Sequence, residues 1–61
     1  MANMLTTKEL EIIQDLLIYE ENACKKAKIY SKILTNEKLA GLSKKLYENH
    51  KKRYETLLGL V

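Results

Sequence analysis

Sixty-one residues with 46% hydrophobic and 31% charged content make a folding composition rather than a disordered one, and at this length they make one domain at most. A chain this short leaves about 40% of its unfolded surface exposed, so it needs a disulfide, a metal or a partner to be firmly stable. The single Cys24 excludes an internal disulfide, and one cysteine with one histidine excludes a four-ligand zinc knuckle, which leaves self-association.

The charge is +3 overall but unevenly spread. Residues 8–21 carry one lysine against five acids, a net −4, and residues 22–35 carry four lysines and no acid, a net +4. Acid at a helix start and base at its end suit the helix dipole, so this pattern needs no nucleic acid to explain it. The lysine pairs at 25–26, 44–45 and 51–52 are spread over the chain and read as solvated faces, which argues against nucleic acid as a partner. The longest apolar run is "LLIY", residues 16–19, too short for a membrane span or a signal-peptide core. The expected compartment is intracellular, with no membrane association and with Cys24 reduced.

In chain order, "TTKE" at 6–9 reads as a capping box, with Thr6 as N-cap and Glu9 reaching back to it. The helix that it opens is predicted over about 7–34. Positions 10, 13, 17, 20, 24, 27, 31 and 34 form one seam, broken only by Glu20 and Ser31, and a second stripe follows 12, 16, 19, 23, 26, 30 and 33. Two adjacent stripes make the wide face of a bundle helix rather than the single seam of a two-stranded coiled coil. "LTNEKL" at 34–39 breaks the pattern, and Asn36 is placed to cap a second helix over about 37–58. That helix carries a leucine-rich stripe through Leu39, Leu42, Leu46, Arg53, Leu57 and Leu60, and beside it a stripe through Ala40, Ser43, Tyr47, His50, Tyr54, Leu57 and Val61. So short a connection predicts an all-α, antiparallel two-helix hairpin spanning 1–61. Two such hairpins would close a core as a four-helix homodimer.

Glu20 and His50 interrupt the two seams. Counted from Thr35, each lies 15 residues away, so at about 1.5 Å per residue both sit at one height. The hairpin can therefore bring a carboxylate, an imidazole and a phenol together in a structural polar layer of Glu20, Tyr47, His50 and Tyr54. Buried polar groups need partners, and such a layer can fix register. The competing reading makes Glu20 and His50 metal ligands. Cys24 on the seam reads as a small core residue. There is no phosphate-binding glycine loop and no nucleophile–base–acid set, so neither a catalytic residue nor a cofactor is expected.

A Glu on one helix and x-x-His on the next resembles half of a ferritin-like bundle. More specifically, the "LTTKEL" opening, the Glu20-Glu21 pair, the "NHKKRY" stretch and the "TLL" ending resemble the small coat F-like spore coat proteins of endospore-forming bacteria. The resemblance covers nearly the whole chain. It implies a ferritin-like helical hairpin, a location in the spore coat and a structural or assembly role beside other spore coat proteins, with no catalytic residues. It also exposes a departure: Tyr47 stands where di-iron bundles place a bridging Glu. The metal expectation is thereby reduced to a single ion held by Glu20 and His50 of two chains. A small basic nucleic-acid-binding regulator is the remaining alternative.

Overall fold

The computed structural model describes residues 5–61, in which two helices, α1 (Thr7–Ile33) and α2 (Glu37–Leu58), pack against each other as an antiparallel hairpin. Local chemistry sets each boundary. The Thr6 hydroxyl accepts a hydrogen bond from the Glu9 amide at 3.1 Å, and the Glu9 carboxylate accepts one from the Thr6 amide at 3.0 Å, which completes the capping box. Leu34 turns the chain to extended backbone, φ −73° and ψ 127°, and ends α1 one residue earlier than the pattern predicts. The Asn36 side chain then accepts from the Leu39 amide at 3.1 Å and starts α2. Three residues, Leu34 to Asn36, thus reverse the chain, as the spacing predicts.

The capping hydrogen bonds, first that from the Thr6 backbone and then that with its hydroxyl, hold the Glu9 carboxyl below its ordinary value. A carboxylate with a depressed folded-state value stabilises the fold above its unfolded value and loses that contribution as pH falls through the folded one. The start of α1 is therefore expected to loosen in acid below the usual carboxylate range of about pH 4. Amide exchange across residues 7–10 reads this directly. Thr6→Ala should loosen the same turn at all pH values, costing about 1 kcal/mol, and should reduce but not abolish the acid dependence, because the amide of residue 6 still reaches the Glu9 carboxylate.

The hairpin interface is built from the first predicted seam of α1 and the Ala40–Tyr54 stripe of α2. Ile13 and Ala27 are its buried hydrophobic residues, Glu20 is its buried polar one, and Leu17, Cys24, Ser43, His50 and Leu57 are half-buried. Small side chains at Ala27, Ser31, Ala40 and Ser43 line the half nearest the turn. The other two stripes stay outside. Leu16 is 42% exposed, Tyr19 61%, Leu42 57% and Leu46 49%, and together they form one apolar face running along the side of the hairpin. Fully burying a side chain of this size contributes roughly 1.5–3 kcal/mol, so the hairpin leaves much of its available stabilisation unused. Among the described residues no helix is long and apolar enough to cross a membrane.

Candidate functional site: a polar layer at mid-height

Glu20 is the central residue of α1, and the interface positions around it are apolar or small. The residue is 6% exposed, so its carboxylate needs compensation. One oxygen, Oε1, binds Nδ1 of His50, as the equal count from the turn predicts. The other, Oε2, lies 4.0 Å from Nε of Arg53. Arg53 follows His50 by three residues, so it lies on the same side of α2, shifted toward the apolar face. The Tyr19 ring meets the imidazole edge-on at 6.3 Å between centroids and 78° between planes. The layer is thus a carboxylate gripped by an imidazole and approached by a guanidinium, with a tyrosine ring closing one side. No buried polar side-chain atom among the described residues lacks a partner.

This corrects the expected membership of the layer. Glu20 and His50 come together, but the hydroxyls of Tyr47 and Tyr54 form no hydrogen bond to either. The reason is the direction of each residue around the helix. Tyr47 and Tyr54 lie about 60° and 40° round α2 from His50, toward the flank away from Arg53. Both help line a depression of about 290 Å³ on that flank. There the Tyr47 ring sits between Lys28 and Lys51, whose amines are 5.8 Å and 6.0 Å from its centroid, at the reach of a cation–π contact. Its backbone carbonyl accepts a hydrogen bond from the Cys24 thiol at 3.7 Å, so Cys24 is a half-buried seam residue at the edge of the same depression. Lys25 joins Lys28 and Lys51 around this depression, so here lysines from both helices gather on one side, contrary to their spread in sequence. Glu21 lies 3.7 Å from Lys25 and offsets part of that charge.

Arg53 and Tyr19 are the members that spacing alone did not select. In the sequence Arg53 reads as a flaw in a leucine stripe, and that flaw was the available signal. Among the described residues no three His, Cys, Asp or Glu side chains converge as a metal site would require. With Nδ1 held by Glu20, each chain presents one imidazole nitrogen, Nε2. Two copies would then offer two imidazole nitrogens, beside two Glu20 carboxylates that His50 already contacts and Arg53 approaches.

No family model matches the chain, and neither does any curated protein or solved structure.

Proposed function

We propose that this is a non-enzymatic structural protein that works as a homodimeric four-helix bundle. The observation that carries the reading is the exposed apolar face on one side of a hairpin in which, among the described residues, Ile13 and Ala27 are the only buried hydrophobic side chains. A face of this kind is used for assembly. The polar layer supports a structural role as well. The Glu20 carboxylate is occupied by His50 and approached by Arg53, so it is held as a fixed element of packing rather than as a mobile base. In sedimentation equilibrium at micromolar concentration the protein is expected at twice 7.1 kDa. A cooperatively folded species at 7.1 kDa would overturn the assembly reading.

The sequence resemblance extends this reading to coat F-like material of the bacterial spore, where a small ferritin-like dimer would serve as a building or assembly unit among other coat proteins. The same tagged protein should then be recovered in the alkaline coat extract of purified spores. Its confinement to the soluble fraction of vegetative cells would remove the spore coat from the proposal and leave the dimer standing.

A further inference from the structure

We propose that a second copy of this chain docks on the apolar face in one register: antiparallel, with the two hairpin turns at opposite ends and the two Glu20–His50–Arg53 layers meeting at the two-fold axis. The proposal rests on the self-association argued above and fixes its geometry.

Three observations select this arrangement. The exposed stripe of α1 is Ile12, Leu16, Tyr19, Ala23, Lys26 and Tyr30. Its spacing is symmetric about position 21. In an antiparallel pairing about that point Ile12 faces Tyr30, Leu16 faces the stem of Lys26, and Tyr19 faces Ala23, a large side chain against a small one. Lys26 then also lies next to Asp15 of the second copy. The leucine stripe runs from Leu39 through α2 to Leu60, just past its C-cap, and is symmetric in sequence about 49 to 50. Because Glu20 contacts His50, positions 21 and 49 stand at the same height in the hairpin. One two-fold axis can therefore pass through the centres of both stripes, and Glu20, His50 and Arg53 lie beside it.

Charge makes the second argument. Antiparallel α1 helices set the −4 half, residues 8–21, against the +4 half, residues 22–35, twice over. With both turns at the same end, each α1 would instead cross the α2 of the other copy. The +4 half would then face residues 37–47, which carry three lysines and one acid, a repulsion larger than the attraction of the −4 half for Lys51, Lys52 and Arg53, which Glu48 and Glu55 partly offset. Such long-range complementarity decides orientation and encounter more than affinity.

Area makes the third. The hairpin measures 46 × 16 × 11 Å, so its broad side is on the order of the ~800 Å² per partner that a stable interface buries. Covering it also explains Arg53. Its side chain is half-exposed and its Nε stands 4.0 Å from Glu20 Oε2, longer than a charge-assisted hydrogen bond. In this register its stem faces Leu46 of the second copy, and covering removes the water that otherwise solvates the guanidinium beside its own Glu20.

The test is site-directed cross-linking in a Cys24→Ser background. Within one chain, positions 12 and 30 are about 27 Å apart along α1, beyond the span of a short bismaleimide. In the proposed dimer they face each other twice. Ile12→Cys with Tyr30→Cys should convert most of the protein to a covalent dimer, while either substitution alone should not. Both residues are about half exposed in the hairpin, so neither change disturbs its own packing. A double variant that sediments as a dimer but does not cross-link overturns the register and leaves the dimer in place. A double variant and parent that both sediment as monomers overturn the dimer itself.

Discussion

Replacement of His50 by alanine is expected to lower stability by about 2 kcal/mol, measured as a shift in the urea midpoint at fixed protein concentration. Two effects add. The imidazole leaves a gap beneath Tyr19, and Glu20, 6% exposed, is left with only the more distant Arg53 beside it. Replacing both members, Glu20→Leu with His50→Leu, should cost less than His50→Ala alone and can raise stability, because it removes the buried charge together with its partner. The order of the two variants is the diagnostic. If His50→Ala costs under about 0.5 kcal/mol, the pair is solvated and the layer has no structural role. If the double variant is the worse of the two, the pair contributes net stability that apolar packing cannot replace. The double variant also probes orientation. If the layer fixes the axis, the leucine pair should cross-link between positions 12 and 30 less completely than the parent, while remaining dimeric.

The parts of this structure that could be read from sequence are those set by neighbours in the chain. Thr6 and Glu9 are three residues apart and form their box without help from the rest of the protein, as Asn36 does with Leu39. The meeting of Glu20 and His50 was also legible, because a three-residue turn fixes which heights coincide and helical rise does the rest. What counting does not give is the rotation of each helix about its own axis. That depends on packing between the helices, where small side chains sit at Ala27, Ser31, Ala40 and Ser43, and it decides which edge of a seam faces which flank. Tyr47, His50 and Tyr54 do share a face, as their spacing requires. That face has two edges, and the tyrosines fall on the lysine-lined one while Arg53 and Tyr19 take the other. The same rotation turned the Leu39–Leu46 stripe outward. Pattern alone could not say which of two apolar stripes a helix spends on its hairpin partner and which it keeps for a second chain.

That division gives the largest expected effect on assembly. Leu42 and Ile29 are nearly equally exposed in the hairpin, at 57% and 55%, so on surface area alone a glutamate should be tolerated equally at either position. They differ in direction. Leu42 belongs to the apolar face shared with Leu16 and Tyr19, and Ile29 lies on the side of α1 turned away from α2. Leu42→Glu would place a carboxylate in a face that dimerisation dries, and two-fold symmetry repeats the insult. It is therefore expected to weaken dimerisation by at least about 100-fold, near 2.7 kcal/mol, with helix content falling at micromolar concentration because the lone hairpin is marginal. Ile29→Glu should leave both the sedimentation profile and the helix signal close to those of the parent. Dilution series by sedimentation and circular dichroism on the two variants separate the outcomes. Equal loss of dimer in both would mean that helix composition, not a defined face, holds the chains together. A Leu42→Glu protein that stays dimeric would place the interface elsewhere and remove the reason that the two polar layers meet.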